Sequence, residues 1–153
     1  GLPFIQRAAG NAEAPPTTGP LLVDLGCGNG FPGLPLLHSV PAVRGLLVES
    51  AGRKTDFLRS VVRRTGCQDR VTVLETRLGS EHQLPERPDI VTLRAFPEPD
   101  RWIVALAAES RWILAWLAHK DAERIARHPH VSARAVLEPL PTHVDSTLLV
   151  ISP

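Results

Sequence analysis

Apolar residues occur in short runs that alternate with amphipathic stretches from residue 20 onwards, a pattern typical of an α/β domain. The first apolar run, residues 21–25, ends at glycines, and the second, residues 44–48, is closed by Glu49. Residues 53–65 carry apolar side chains at helical spacing with basic residues opposite, and predict the clearest helix. Further strands are predicted at residues 71–74, 89–93, 112–117, 133–137 and 147–151, and further helices at residues 31–40, 99–109 and 121–128.

The order of these elements predicts the fold class. Strands that alternate with helices form a parallel sheet covered by helices, and two final strands without an intervening helix form a hairpin. We therefore expect a Rossmann-like α/β fold, with a seven-stranded mostly parallel sheet, helices on both faces and a C-terminal β-hairpin. Residues 1–19 are rich in Ala, Pro, Thr and Gly and predict a flexible N-terminal tail, followed by one domain over residues 20–153.

Composition narrows the function classes. The 153 residues are 43% apolar and 22% charged, with a net charge of +1, which by itself indicates no nucleic-acid partner. The two cysteines form no CxxC pair, so we expect a reducing, cytoplasmic setting. No apolar run approaches the roughly 18 residues that span a bilayer, and His128 and His130 lack supporting ligands at metal-site spacing. We expect neither a membrane segment nor a metal site.

The glycine-rich segment after the first strand is the leading candidate for ligand binding. Ligands bind beyond the carboxyl ends of parallel strands, and Gly26, Gly28 and Gly30 lie there in the sequence VDLGCGNGFPG. Glycines allow a tight turn and the close approach of a ligand. Asp24, a carboxylate within the apolar strand, is positioned to accept hydrogen bonds from this loop or from a cationic part of the ligand.

Glu49 is the candidate to bind a ribose of the ligand, the alternative being a solvated acid at the end of the strand. A carboxylate at the end of the second strand binds ribose hydroxyls in nucleotide-binding folds, for NAD and for S-adenosylmethionine (SAM) alike. The GxGxxG fingerprint begins at Gly28, out of register with the strand end at Gly26, and Pro32 and Pro35 disturb the helix start that would hold a pyrophosphate. SAM is therefore favoured, and an NAD-dependent oxidoreductase remains an alternative.

Four segments carry a more specific resemblance: VDLGCGNGFPGLPLL, LLVESAGRKTDFLR, VLETRLGS and DIVTLRAF, over roughly residues 20–120. In order and spacing they resemble the bacterial 16S rRNA methyltransferase G family, also called glucose-inhibited division protein B, within the class I SAM-dependent methyltransferases. The resemblance implies an enzyme that transfers a methyl group from SAM to N7 of a guanine in 16S rRNA. Its partner would be 16S rRNA or the small ribosomal subunit.

The resemblance also implies roles for individual residues. Gly26 and Phe31 would contact SAM, Glu49 would bind its ribose, Leu78 and Gly79 would flank its adenine, and Arg94 would lie between cofactor and substrate. No catalytic base is predicted, because N7 of the neutral base is an accepting lone pair. The [DNS]-P-P-[FYW] loop used on exocyclic amines is absent from the sequence.

Basic residues near the predicted site are candidates for RNA contact: Arg53, Lys54, Arg94 and Lys120. A solvated helix face is the alternative for the basic side chains of residues 53–65. Family members usually carry an N-terminal helical segment and basic residues near the last strand, where this chain has Asp145, Ser146 and Thr147. A non-catalytic SAM-binding module, or a shortened paralogue with a different substrate, is therefore the second hypothesis.

Overall fold

A computed structural model describes residues 1–10, 17–79, 84–140 and 145–153 of the chain. Helices and strands alternate along most of it, as the hydrophobic pattern predicts. The helices are α1 (Leu2–Ala9), α2 (Gly33–Ser39), α3 (Gly52–Arg64), α4 (Pro99–Ala107) and α5 (His119–Ala126). The strands are β1 (Leu21–Leu25), β2 (Arg44–Glu49), β3 (Val71–Glu75), β4 (Ile90–Arg94), β5 (Trp112–Ala118), β6 (Ala135–Pro139) and β7 (Ser146–Ile151).

One seven-stranded sheet in the described part of the chain has the order β3-β2-β1-β4-β5-β7-β6. Strands β1 to β5 are parallel, whereas β7 runs antiparallel to both β5 and β6. The strand order reverses between β1 and β4, the point where an open α/β sheet leaves a crevice for a ligand. The predicted fold class, with its C-terminal hairpin, is confirmed.

The two faces of the sheet are covered by different helices. Val23 and Leu25 of β1 pack with Ile103 of α4 and Ile125 of α5 on one face. Leu22 of β1 belongs to the opposite cluster, which also contains the buried side chains of α1, α2 and α3. All five residues of β1 are buried, as expected for a central parallel strand covered on both sides.

Helix α1 lies within residues 1–19, for which the sequence predicted a flexible tail. Its Ile5 side chain has no exposed surface, and Ala9 is 7% exposed. The ring of Phe4 lies 6.4 Å from that of Trp112, so the helix contacts the sheet as well as α2. A helix of two turns is marginal by itself, and burial against the core stabilises it. Residues 11–16 lie outside the described residues, and the domain limits at residue 20 stay a prediction.

Arg134, at the start of the hairpin, connects β6 to the rest of the domain. Its guanidinium donates to the carbonyl oxygens of Ala107 (2.8 Å), Arg111 (2.7 Å) and Ser152 (2.6 Å). Ala107 ends α4, where carbonyl groups have no partner within the helix, and the arginine side chain satisfies this carbonyl together with two that lie outside any helix. Among the helices of the described residues, none is long and apolar enough to cross a membrane.

Replacing Ile5 tests whether α1 is part of the core. We expect Ile5→Ala to lower the free energy of unfolding by about 2 kcal/mol or more, since it deletes a fully buried side chain. Leu2→Ala is the matched control, because Leu2 is 37% exposed on the same helix and should cost well under half as much. Urea unfolding followed by circular dichroism measures both. Equal, small effects would mean that α1 does not pack as described.

Candidate functional site

A cleft of about 380 Å³ opens at the carboxyl ends of β1, β2, β3 and β4. Its walls include Gly26 after β1, Glu49 at the end of β2, Leu78 after β3 and Phe96 after β4. Lys54, from the first turn of α3, completes the side next to Glu49. Residues distant in the sequence therefore meet at one edge of the sheet, where this fold class binds its ligands.

Gly26 turns the chain sharply out of β1 under an aromatic ring. Its φ is +63°, a conformation that L side chains rarely adopt. A Cβ atom at this position would lie 2.5 Å from Cδ2 of Phe96. The missing side chain thus lets the Phe96 ring lie directly on the loop, and this close contact forms one wall of the cleft.

The carboxylate of Glu49 is held by three backbone N–H groups. Gly28 donates to Oε2 (2.9 Å), while Ser50 (2.9 Å) and Ala51 (3.0 Å) donate to Oε1. The ammonium group of Lys54 lies 3.9 Å from Oε2. Burial raises the pKa of Glu49, but these donors and the lysine charge outweigh it and hold the pKa below its usual range. The carboxylate is therefore ionised at neutral pH.

The donors on Glu49 leave part of its accepting capacity unused. A carboxylate has about four lone-pair sites, two on each oxygen. Oε1 already accepts two N–H groups, whereas Oε2 accepts one and lies at the side of Lys54. Oε2 can therefore accept a further hydrogen bond from a ligand hydroxyl without losing its partner in the glycine loop.

Asp24, predicted to bind the ligand, lies beneath the loop with no exposed surface. Its Oδ2 accepts the N–H of Gly33 (2.9 Å), the first residue of α2, and its Oδ1 accepts the hydroxyl of Thr92 (2.8 Å). Burial raises its pKa to about 7, against the opposing effect of these two hydrogen bonds. Direct contact between Asp24 and a ligand stays a prediction, and the geometry favours a role in positioning α2.

The other loop glycines have different surroundings. The N–H of Gly28 is the donor to Glu49, so Gly28 acts through its backbone. Gly30, with φ of +90°, faces inward, where a Cβ would lie 2.2 Å from Leu34 and 3.0 Å from Leu58. Of the three glycines of this loop, Gly26 is the one that lines the cleft.

Phe31 and Arg94 line a second cavity, of about 580 Å³, together with Trp116. The guanidinium carbon of Arg94 lies 5.0 Å from the centre of the Phe31 ring, a cation–π contact. Ala95 borders both this cavity and the cleft. The structure thus brings Phe31 and Arg94 together, but beside the cleft that contains Gly26 and Glu49.

Leu78 and Gly79 are neighbours in sequence that face different cavities. Leu78 lines the cleft with Glu49. Gly79 lines a third cavity, of about 500 Å³, whose walls include Trp102 and Arg87. The sequence expectation that both residues flank one ligand group therefore matches the position of Leu78 better than that of Gly79.

The four basic candidates are spread along the carboxyl edge of the sheet. Lys54 lines the cleft beside Glu49 with its side chain 50% exposed, and Arg53, Arg94 and Lys120 are exposed as well. Arg94 ends β4, and Lys120 follows β5, the neighbouring strand. Arg53 follows β2, which lies three strand positions from β5, or roughly 14 Å at normal strand spacing. All four lie at the same edge of the sheet.

Phe96 is a residue of the site that the sequence reasoning missed. It lies two positions after β4 within the RAF segment, and its ring packs edge-on against Trp102 at 5.8 Å. An aromatic residue just after a strand was the signal available in the sequence, but the contact of Phe96 with Gly26 depends on the strand order.

Among the residues that the structure describes, no group of three His, Cys, Asp or Glu side chains is arranged to hold a metal ion.

The fold and this cleft define a Rossmann-like domain of the class I methyltransferase type. The structure of human methyltransferase 10 domain containing protein matches it with a TM-score of 0.71 and 13% identity, over 99% of this chain and 79% of that one. The N-terminal domain of human METTL16, solved in complex with SAH, matches with a TM-score of 0.66 and 14% identity, over 97% and 67% of the two chains.

Sequence comparison identifies the family. A model of the GidB family, described as rRNA small subunit methyltransferase G, matches residues 12–140. The chain belongs to this family. Ribosomal RNA small subunit methyltransferase G of Rhizorhabdus wittichii is 39% identical over 103 residues, or 67% of this chain. The protein of the same name from Myxococcus xanthus is 33% identical over 133 residues, or 82% of this chain, and that from Roseiflexus sp. is 46% identical over 80 residues, or 50%.

The matched stretches cover only part of these relatives. They span 46% of the Rhizorhabdus protein, 61% of the Myxococcus protein and 34% of the Roseiflexus protein. The described cleft lies within the stretch that the family model matches.

The buried carboxyl of Asp24 predicts a pH-dependent stability. Its native pKa of about 7 lies above the ordinary 3.8, so between these values the unfolded chain binds fewer protons than the folded one. The free energy of unfolding should therefore fall as the pH rises from about 4 to about 7, by on the order of a few kcal/mol. Asp24→Asn, which can still accept from Gly33 and donate to Thr92, should remove this decline. Denaturant unfolding across that pH range measures it, with the exposed Asp56→Asn as a control that keeps the wild-type slope.

Proposed function

We propose that the chain binds SAM in the cleft between Gly26 and Glu49 and transfers its methyl group to N7 of a guanine in 16S rRNA. The observation that carries this proposal is the convergence of the Gly26 turn and the ionised Glu49 carboxylate on one cleft. The free lone pair on Oε2 would accept a ribose hydroxyl, and Leu78 offers an apolar surface for the adenine. The family to which the chain belongs supports small-subunit rRNA as the substrate class.

The start of α2 favours SAM over a dinucleotide. A pyrophosphate needs free N–H groups at the N-terminus of the helix that follows the glycine loop. Here the N–H of Gly33 donates to Asp24 and that of Leu34 to the carbonyl of Gly30, while residues 32 and 35 are prolines without an N–H. The N–H of Leu36 donates to the carbonyl of Pro32. The first turn thus has no donor left for a phosphate group.

Methyl transfer to N7 does not require the protein to remove a proton from the base. SAM supplies a methyl group on a positively charged sulfur, and N7 of the neutral base is a free lone pair. The task of the chain is then to hold acceptor and donor in line and to exclude water. Ala95, directly after β4, lies where the cleft and the second cavity meet, and Phe96, which lines the cleft, packs against Gly26 and Trp102.

The proposed partner is 16S rRNA or the small ribosomal subunit, in the cytoplasm. Exposed Arg53, Arg94 and Lys120 at the carboxyl edge of the sheet would contact RNA phosphates. Lys54, by contrast, is directed towards Glu49, so its charge serves the cofactor cleft. With a net charge of only +1, the chain would depend on these local contacts more than on a general electrostatic attraction.

Substitution of Glu49 tests the cofactor site. Glu49→Ala should weaken SAM binding by about 1–3 kcal/mol, or roughly 5- to 150-fold, through the loss of charge-assisted hydrogen bonds. Glu75→Ala is the matched control: Glu75 pairs with Glu49 across β2 and β3, but its carboxylate binds Thr55 and Arg59. Isothermal titration calorimetry with SAM and SAH measures both variants. Equal affinity in wild type and Glu49→Ala would remove Glu49 from the site.

Transfer of label tests the activity. The chain is incubated with methyl-labelled SAM and either unmodified 30S particles or free 16S rRNA, and the nucleosides are separated by mass. We expect label in 7-methylguanosine with wild type and a large loss with Glu49→Ala. Binding of SAM without transfer to either substrate would instead support the SAM-binding module. Thermal stabilisation by NAD but not by SAH would support an oxidoreductase.

A further inference from the structure

An exposed aromatic ring lies on the solvent side of α3. Phe57 is 49% exposed, whereas Leu58 and Val62 of the same helix are 0% and 4% exposed. At about 3.6 residues per turn, Arg53 and Arg64 lie on the same side of the helix as Phe57, opposite the buried side chains. Both arginines are exposed. We call these three side chains, from Arg53, Phe57 and Arg64, the outer face of α3.

The two arginines of the outer face carry charges that the chain does not neutralise. Asp56 and Glu75, the carboxylates next to this part of the helix, both form ion pairs with Arg59. In the part of the chain that the structure describes, Arg53 and Arg64 form no ion pair. The outer face therefore presents a positive charge on either side of an aromatic ring.

The stability of the helix does not account for Arg53. The N-terminal end of a helix carries partial positive charge, so an acidic side chain there stabilises the helix and a basic one does not. The first turn of α3 contains no acid, and it contains Arg53 and Lys54 instead. Lys54 lies beside Glu49, which offsets its charge, whereas Arg53 has no such partner among the described residues. Arg53 is therefore suited to an anionic partner outside the chain.

The outer face extends away from the cofactor cleft. Lys54, in the first turn of α3, lines the cleft, and the helix then leads back from the carboxyl edge of the sheet, because it connects the parallel strands β2 and β3. Arg53 and Arg64 lie about 16 Å apart along the helix axis, at about 1.5 Å per residue. This distance spans several nucleotides of an RNA strand. A strand whose acceptor base reaches the cleft would therefore continue over this face.

We propose that the outer face of α3 binds a single-stranded segment of the substrate RNA, with one base stacked on Phe57 and phosphates bound by Arg53 and Arg64. This inference rests on the proposed function, which makes RNA the substrate, and it adds a docking surface outside the cleft. Unpaired bases stack on aromatic side chains, and arginines bind the neighbouring phosphates. An apolar partner would remove both arginines from water without giving them a counter-charge, whereas an RNA strand satisfies all three side chains.

The affinity of Phe57 variants for RNA tests the proposal. Fluorescence anisotropy measures binding of the chain to a labelled, unstructured RNA of roughly 12 nucleotides, and to the same RNA annealed to its complement. Phe57→Leu should weaken binding of the single strand by roughly 5- to 150-fold, the range of one base–aromatic stack, and binding of the duplex by less than about twofold. Phe57→Tyr keeps a ring and should bind like wild type. Denaturant unfolding checks that both variants retain the fold.

The salt dependence of binding tests the two arginines. Arg53→Gln and Arg64→Gln should each lower the slope of log affinity against log salt concentration by about 0.7, the contribution of one phosphate contact on a single strand. Arg111→Gln is the matched control, because Arg111 is exposed directly before β5 and lies outside the outer face of α3, so its variant should keep the wild-type slope.

Two further measurements separate RNA docking from cofactor binding. Calorimetry with SAH should give the wild-type affinity for Phe57→Leu and Arg64→Gln, since neither side chain is among the described residues that line the cleft. In the methylation assay, Phe57→Leu should raise KM for RNA and leave kcat unchanged, because the outer face does not touch the reacting atoms.

The outcomes distinguish this inference from the proposed function. Wild-type affinity of Phe57→Leu for the single strand, or an unchanged KM together with normal SAM binding, would overturn the inference alone. A dimer of the RNA-free chain in sedimentation that Phe57→Leu dissociates would also overturn it, because the face would then bind a second copy. Wild-type chain that binds the single strand through Phe57 but binds neither SAM nor SAH would overturn the proposed function and leave the RNA-binding face supported.

Discussion

One carboxylate holds the candidate site together. Glu49 accepts the N–H of Gly28 from the glycine loop and those of Ser50 and Ala51 from the start of the next connection. Two loops that follow different strands are thereby joined through one ionised side chain, in surroundings where charge-assisted hydrogen bonds are strong. The position of the loop, the shape of the cleft and the orientation of Lys54 all depend on this contact.

Asp24, on the neighbouring strand β1, also joins separate elements through hydrogen bonds, but its pKa is raised whereas that of Glu49 is lowered. It joins β1 to the first residue of α2 and to Thr92 of β4, with no exposed surface. Two donors do not compensate for its complete burial, so its pKa is raised, whereas three backbone amides and a lysine lower that of Glu49. Of these two acids, the ionised one faces the cleft and is suited to bind a ligand, and the buried one supports the helix.

The end of β4 divides the carboxyl edge of the sheet into two cavities. Ala95 borders both, and its φ of +51° shows that the chain turns sharply there. Holding a residue in this uncommon conformation costs free energy, which favourable contacts in the surrounding structure must offset. The next residue, Phe96, packs against Gly26 and Trp102 on the cleft side. The two adjoining cavities thus share a short segment whose backbone is under constraint.

The hydrophobic pattern by itself determined the strands, most helices and the parallel sheet with its closing hairpin, because burial leaves a direct mark on residue type. It also determined that Gly26 and Glu49 follow or end neighbouring strands, and both line the cleft. It did not reveal α1, whose two turns are stabilised by the packing of Phe4, Ile5 and Ala9 against the core. Nor did it separate Leu78 from Gly79, or Phe31 from Gly26, into different cavities. Those distinctions depend on the direction of each side chain at the sheet edge. The strand order decides that direction, together with the contacts of Phe96, Arg94 and Trp116. Contacts between residues distant in the chain are a property of the tertiary structure, and local sequence carries no periodic signal for them.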